Sequence, residues 1–330
     1  MKKVGVIGAG SWGTVLSSLC SLKSSKVMLW SRRKEVCDEI NKKRENSTYL
    51  PGLKLPKNIF CTTDIGEIFS GCELVFSAVP AQSTREVMRQ ASAYVEGHHI
   101  IVSVSKGIEI ETSKRMIEII KEETCCKKVA ALSGPNLAKE VAMGTPSAAV
   151  CASNIESVQD KVKESLESNF FKIYRSTDVV GVELGGAMKN IFAIAAGILD
   201  GAGFGANTKA YLISRSVAEM SRFGANFSAK TITFLGLSGL GDLIATSSSK
   251  LSRNRTFGEK IAKGNDPETL IKRSKEVIEG YFTTYAIYKI AELKGIYMPI
   301  TEAIFRILYR KENIENVIED LLQLKAEYEF

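Results

Sequence analysis

The sequence predicts an α/β chain in two parts: a doubly wound, mostly parallel sheet over residues 1–182, then an all-α domain over 183–330. Three observations predict it. Short apolar, β-rich runs alternate with amphipathic stretches as far as Ser176, the rhythm of successive βαβ units with helices on both faces of a sheet. A glycine-rich turn, Gly8-Ala-Gly-Ser-Trp-Gly13, directly follows the first of those runs. Beyond about residue 182 the strand signals fade and apolar residues recur at helical spacing.

Bulk properties narrow the function classes. A chain of 330 residues can build two cores, and 45% hydrophobic with 25% charged residues is an ordinary globular composition. No run of about 18 apolar residues occurs, so no membrane insertion is expected, and the apolar run at the start is too short for a signal peptide. The seven cysteines, at 20, 37, 61, 72, 125, 126 and 151, are odd in number and make no CxxC pair. That argues against a disulfide framework and against a zinc site, and it suits a reducing cytoplasm. The net charge of +7 is dispersed, without basic blocks, which speaks against a nucleic-acid partner and suits small anionic ligands. The only histidines, His98 and His99, adjoin a predicted strand, so a lysine is the better candidate for proton transfer.

Each element has its own signal. Residues 3–7 read as the first strand and 14–22 as the helix after the glycine turn. In a G-x-G-x-x-G turn so placed, Gly8 makes the tight bend, Gly10 lets backbone N–H groups approach a pyrophosphate, and Gly13 lets helix and strand pack closely. The phosphates then lie at the helix N-terminus, where unpaired N–H groups favour anions. This is the fingerprint of a dinucleotide-binding, Rossmann-type domain. The second strand, 26–30, ends at Ser31-Arg32-Arg33. NAD-selective sites place an acid here for the ribose 2′-hydroxyl, whereas Arg32 and Arg33 would accommodate a 2′-phosphate. NADPH is therefore the expected cofactor, with NADH the alternative. Helices follow at 34–44, 65–70, 83–94, 112–123 and 155–168, and strands at 59–62, 73–79, 100–104, 129–132, 147–151 and 172–176. Three strand ends carry suggestive residues: Ala78-Val-Pro80, Ser105-Lys106-Gly107 and Ser133-Gly134-Pro-Asn136. Ligands of such sheets bind at those carboxyl ends.

The helical half opens on the most telling stretch. From Ala187 to Leu199 every residue is apolar or glycine except Lys189 and Asn190, which predicts a helix buried on all sides. A lysine inside it either reaches water at the helix edge or needs a carboxylate partner, a lowered pKa, or both. Moving a lysine from about 10.4 to about 7.5 costs roughly 4 kcal/mol, which suggests a use. Asp242, alone in the glycine-punctuated 234–246 stretch, is the natural partner. Ser252-Arg253-Asn254 opens a further helix, where a forked guanidinium and free backbone donors suit a phosphate. Helices at 208–223, 281–293, 300–309 and 317–324 read as structural.

These motifs, in this order and over nearly the whole length, resemble the NAD(P)-dependent glycerol-3-phosphate dehydrogenases of bacterial type. The residues carrying the resemblance are GAGSWGT (8–14), YLPG (49–52), SKGIE (105–109), SGPNLAKEVA (133–142), GVELGGAMKNIFAIAAGI (181–198), LSGLGDL (237–243), LSRNRTFG (251–258), VIEGYFTT (277–284) and MPITEA (298–303). The resemblance implies a cytoplasmic homodimer that reversibly reduces dihydroxyacetone phosphate to sn-glycerol 3-phosphate for glycerophospholipid synthesis. It implies Lys189 as the general acid/base. Lys106, Gly134, Asn136, Asn190, Asp242, Thr246, Ser252, Arg253 and Asn254 would hold substrate or polarise its oxygen. Ser11, Trp12, Arg32, Arg33, Tyr49, Lys106, Ala138, Arg253, Val277 and Glu279 would contact the cofactor beside the three glycines. Asn136 stands where the family more often has a small hydroxyl residue, and Leu137 replaces a commoner phenylalanine. A β-hydroxyacid or ketopantoate-type reductase would share the two-domain plan but take carboxylate substrates, and a non-catalytic NADPH sensor would not need the lysine–carboxylate pair.

Overall fold

The computed structural model describes residues 3–274 and 276–323. Its sheet has eight strands: β1 (Lys3–Ile7), β2 (Lys26–Trp30), β3 (Ile59–Thr62), β4 (Leu74–Ser77), β5 (Ile100–Ser103), β6 (Lys128–Ser133), β7 (Ser147–Ala152) and β8 (Phe171–Ser176). They lie in the order β3-β2-β1-β4-β5-β6-β7-β8. Strand order reverses between β1 and β4, so the crevice for a ligand opens at the carboxyl ends of those two strands. β4 and β5 are buried at every residue, which is why they read as unbroken apolar runs rather than alternating ones. Apolar clusters cover the two faces, one around Leu16, Phe76 and Phe171, the other around Ile7, Val75 and Met88.

Pairing is parallel throughout except between β6 and β7. The connection there contains only a five-residue helix, Ala138–Ala142, and folds back beside β6 instead of crossing over. The helix expected over 112–123 begins at Met116, because Ser113 adopts a left-handed backbone conformation (φ 60°) and Ile108 bridges to Arg115. The 83–94 stretch is an α-helix over Thr84–Ala91 flanked by tight turns. The helix expected over 317–324 runs Ile314–Leu322, and Leu324 lies outside the described residues.

The absence of a disulfide, expected from the cysteine pattern, needs one correction: Cys37 and Cys61 are bonded, their Cα atoms 4.8 Å apart. Sequence spacing hides the reason. Helix Lys34–Lys43 folds back against β3, where the Asn41 side chain both donates to the Cys61 carbonyl (2.8 Å) and accepts from its N–H (2.9 Å). The remaining five cysteines are free.

Every described element after β8 is helical, and helices pack around a central one, Val179–Gly201. Asp178 caps its start, accepting from the Gly181 N–H at 2.9 Å. Gly181 through Ile198 are all buried. By length and mean hydropathy (1.4) the helix could cross a membrane, but 89% of the apolar window is buried inside the fold. Its surroundings are Phe223, Phe234 and the apolar faces of Arg253–Ala262, Glu279–Lys294 and Pro299–Tyr309.

Candidate active site

The glycine turn has the shape its sequence implies. Gly8 has φ 108°, and a Cβ there would lie 2.7 Å from the Ala78 carbonyl oxygen. A Cβ on Gly13 would stand 1.8 Å from the Gly8 carbonyl oxygen, so helix and strand meet only without one. At Gly10 nothing lies within 4 Å of that position, leaving the backbone open to a ligand. The helix that follows, Ser11–Ser21, has no side-chain cap and no acid in its first turn. Its free N–H groups therefore suit a pyrophosphate. The 46–52 loop closes over the turn: the Asn46 amide donates to the Ala9 carbonyl (2.9 Å) and Thr14 hydroxyl (2.8 Å), and Ser11 donates to the Tyr49 carbonyl (2.8 Å). Arg32 and Arg33 are exposed beyond β2, with Arg33 stacked on the Tyr49 ring (4.9 Å) and bonded to its hydroxyl.

The second centre gathers at the ends of β5 and β6. Lys189 is 7% exposed and Asp242 1% exposed. The Lys189 ammonium donates to Asp242 Oδ1 (2.9 Å) and to the Thr246 hydroxyl (2.6 Å). Lys106 reaches the other oxygen, Oδ2, at 2.5 Å and the Gly134 carbonyl at 2.8 Å. One carboxylate is thus shared by two ammonium groups. The Lys106 loop is itself held from behind. Gln82 clasps Ile108 and Ile110 (2.7 and 3.0 Å), and buried Glu109 accepts a forked pair from Arg85 (2.9 and 2.8 Å).

Burial sets the protonation states here. It lowers Lys189 to about 8; Asp242 opposes that fall, and the Lys106 and Arg253 charges add to it. Burial alone would raise Asp242, but the two lysines outweigh it and hold the carboxyl below its usual range. The carboxylate stays ionised and Lys189 is poised to exchange a proton near neutral pH.

A third group begins at the next residue of the central helix. Asn190 donates to the Lys106 carbonyl (3.0 Å) and accepts from Asn254 (2.8 Å), whose own amide oxygen accepts from the Gly280 N–H (3.0 Å). This chain ties the Lys106 loop to three helices. Arg253 is half exposed, donates to the Val277 carbonyl (3.0 Å), and has Glu276 at 3.9 Å. Glu279 accepts from the Ala81 N–H (2.9 Å), its other oxygen is buried without a partner, and burial pushes it up to about 7.

The structure thus brings together Lys106, Gly134, Lys189, Asn190, Asp242, Thr246 and Asn254, with Arg253 close enough to act on Lys189 by charge. Besides Asn190 and Asn254, whose amides bond within the protein, two more expected substrate contacts are engaged. Ser252 caps the Arg253–Ala262 helix, accepting from the Arg255 N–H (3.2 Å), and Asn136 donates to the Ala148 carbonyl (2.9 Å). Trp12 lies against Phe171 with ring centres 6.4 Å apart, and Ala138 opens a short helix packed on the same cluster. His99 has both ring nitrogens on backbone partners, Glu96 N–H and Phe69 carbonyl. Among the described residues no group of three His, Cys, Asp or Glu side chains could hold a metal ion.

Sequence reading missed Asn46, buried and pinning the glycine turn, and Glu276, which accepts from the Ser11 hydroxyl at 3.0 Å. It also missed buried Glu183, which accepts from the Ile117 N–H (2.9 Å) and Arg115 (2.7 Å). An acid within an apolar helical run was the available signal for Glu183; loop residues such as Asn46 and Glu276 offered none.

Comparison with known proteins places this geometry in context. Residues 3–159 match the model of the NAD-dependent glycerol-3-phosphate dehydrogenase N-terminus, and 178–319 that of its C-terminus. A glycerol-3-phosphate dehydrogenase [NAD(P)+] from Citrifermentans bemidjiense is 43% identical over 99% of each chain. One from Bacillus velezensis is 40% identical over 98% of this chain and 94% of its own. The crystal structure of glycerol-3-phosphate dehydrogenase from Coxiella burnetii superposes with TM-score 0.93 at 34% identity, covering 98% and 99% of the two chains. A ketopantoate reductase from Ralstonia eutropha, 14% identical with TM-score 0.58 over 97% and 100%, shares the fold alone.

Proposed function

Because the chain belongs to the NAD-dependent glycerol-3-phosphate dehydrogenase family, we propose that Lys189 is its general acid/base in the reversible reduction of dihydroxyacetone phosphate to sn-glycerol 3-phosphate. The chain is an oxidoreductase of that family, working with a nicotinamide cofactor. The observation that carries the mechanism is the shared carboxylate: Asp242 between Lys189 and Lys106, at the same end of the sheet as the open glycine turn.

The uncapped helix N-terminus and open Gly10 fit a dinucleotide pyrophosphate. Gly8, Gly10, Ser11, Trp12 and Gly13 would hold it with Tyr49, Ala138, Val277 and Glu279, and Arg32 and Arg33 would take a 2′-phosphate, making NADPH the preferred form. When bound, the nicotinamide supplies the hydride. Lys189 gives its proton to the substrate's carbonyl oxygen as charge develops there, and takes it back in the oxidation. Lys106 offers a second positive charge to the same oxygen in a water-poor cleft, an effect worth several kcal/mol. Asp242 keeps both ammonium groups aimed, and Thr246 fixes the direction of the Lys189 amine. Arg253 and Asn254 take the phosphate, whose binding energy positions a carbonyl remote from it. Two lysines and Arg253 against Asp242 and Glu276 leave the centre net positive, which suits a phosphate dianion.

Residues 1–182 then serve as the nucleotide domain and 183–330 as the substrate and catalytic domain. Family membership supports a cytoplasmic homodimer that feeds glycerophospholipid synthesis. A panel assay of cofactor oxidation tests the reading: NADPH and NADH, each against dihydroxyacetone phosphate, unphosphorylated dihydroxyacetone and ketopantoate. Turnover should require the phosphorylated ketone and run better with NADPH. Turnover of ketopantoate but not of dihydroxyacetone phosphate would overturn it.

A further inference from the structure

Arg253 and Asn254 stand at the tip of a helix whose seat on the central helix is unusually smooth. A Cβ on Gly197 would lie 1.9 Å from the Arg255 carbonyl oxygen, one on Gly258 2.1 Å from that of Ile194, and one on Gly201 2.8 Å from that of Glu259. Backbone therefore lies on backbone. Such a seam fixes the distance between the helices, and the apolar side chains beside it, Phe257 and Ile261 among them, pack without direction. Two polar contacts add directed register. At the site end Asn254 donates to Asn190 (2.8 Å). Next to it, Arg255, 9% exposed, reaches toward the C-terminal end of the central helix and grips Asp200 through Nε (2.7 Å) and Nη2 (2.6 Å). Lys209 of helix Ala206–Ala225 pairs with the same aspartate, and Glu259 accepts from the remaining arm of Arg255 (3.3 Å).

We infer that the Arg255–Asp200 pair is a positioning element for the phosphate end of the site, setting the register that aims Arg253 and Asn254 at the substrate. Buried ion pairs add little net stability, and their best-attested use is to fix registry. Arginine is required because its planar fork makes two directed bonds to one carboxylate, which a lysine cannot. The inference rests on the assignment of the phosphate to Arg253 and Asn254.

Arg255→Lys keeps the charge and loses the fork; Asp200→Asn keeps the shape and loses the charge. Both would be compared with the wild type as full-length proteins, using dihydroxyacetone phosphate, unphosphorylated dihydroxyacetone, and inorganic phosphate as a competing probe. We expect KM for the phosphorylated ketone and the inhibition constant of inorganic phosphate to rise together, roughly tenfold, the scale of a small misplacement. The low kcat/KM for unphosphorylated dihydroxyacetone should stay within about twofold, with cofactor Kd unchanged, and Asp200→Glu should restore part of the loss. If either variant melts like the wild type and keeps its KM and phosphate inhibition, the positioning role is overturned. An equal loss on both ketones would also overturn it, pointing to general support of the fold. If wild-type turnover is indifferent to the phosphate group, it is the assignment of Arg253 and Asn254 that fails, and the inference with it.

Discussion

Replacing Asp242 by asparagine removes one charge and leaves the shape of the centre intact. The consequence can be worked from the distances. Asp242 accepts from Lys189 at 2.9 Å and from Lys106 at 2.5 Å. Charge centres about 4 Å apart in a medium of effective dielectric about 20 interact by roughly 4 kcal/mol, or about 3 pKa units. In the wild type Lys189 already sits at about 8, because burial and the neighbouring cations outweigh this attraction. Without it, Lys189 should fall by at least about 2 units, even after allowance for side-chain relaxation and water entry. At neutral pH only on the order of one molecule in ten to one in a hundred would then carry the proton.

Reduction of dihydroxyacetone phosphate by Asp242→Asn should accordingly slow by roughly 10²-fold at neutral pH, since a misaimed amine adds to the lost proton. The pH profile separates charge from disruption. Wild-type reduction needs the ammonium form, so it should decline above about pH 8, and oxidation of glycerol 3-phosphate, needing the free amine, should rise through the same point. In the variant the decline should move to acid pH, with part of the rate recovered on acidification. The assay is initial-rate loss of reduced-cofactor absorbance over a pH series with both ligands saturating. A folded variant with the wild-type break and near wild-type turnover would refute the shared-carboxylate mechanism.

Two further predictions concern residues away from the proton. Glu276 places a carboxylate on Ser11, where the dinucleotide's pyrophosphate is expected, and it is about a third exposed. Glu276→Gln should therefore lower the Kd for NADPH about two- to fivefold, the scale of an exposed charge contact; fluorescence titration showing equal or weaker binding would contradict this. Glu219 caps helix Pro299–Tyr309, and burial pushes it from 4.5 up to about 7. The native state then holds a proton that the unfolded chain has released, so the stability linked to Glu219 is full below pH 4.5 and lost as pH rises to about 7. Urea midpoints of Glu219→Gln should change less across that window than those of the wild type, and identical pH slopes would dismiss the effect.

What the sequence made legible divides by range. The strands were readable because burial on both faces forces unbroken apolar runs, as in Val75 and Ile101. The glycine turn was readable because Gly8 and Gly13 each stand where a Cβ would strike backbone. Lys189 was readable because an ammonium within an apolar helix requires a partner, and Asp242 was the acid available. The opening of the Arg253–Ala262 helix was readable as a helix start, but not the commitment of Ser252 to capping it. The three-residue reach from Ser252 to the Arg255 N–H was a local signal that a reading aimed at ligands passed over.

The remainder was hidden because it lies in pairings between distant segments. Lys106 and Asp242 are 136 residues apart, and only the return of the Asp242–Ser248 helix over the end of the sheet makes them neighbours. That meeting changes the chemistry of a third residue. Burial does most of the lowering at Lys189, Asp242 opposes it, and the second cation on the same carboxylate adds to the fall. Local sequence could pair Lys189 with Asp242, but the lowering of its pKa depends on burial in the closed fold, with the Lys106 charge adding to it. Moving the second cation, as in Lys106→Met, should therefore raise Lys189 again, the opposite sign to Asp242→Asn, even though both substitutions dismantle the same cluster.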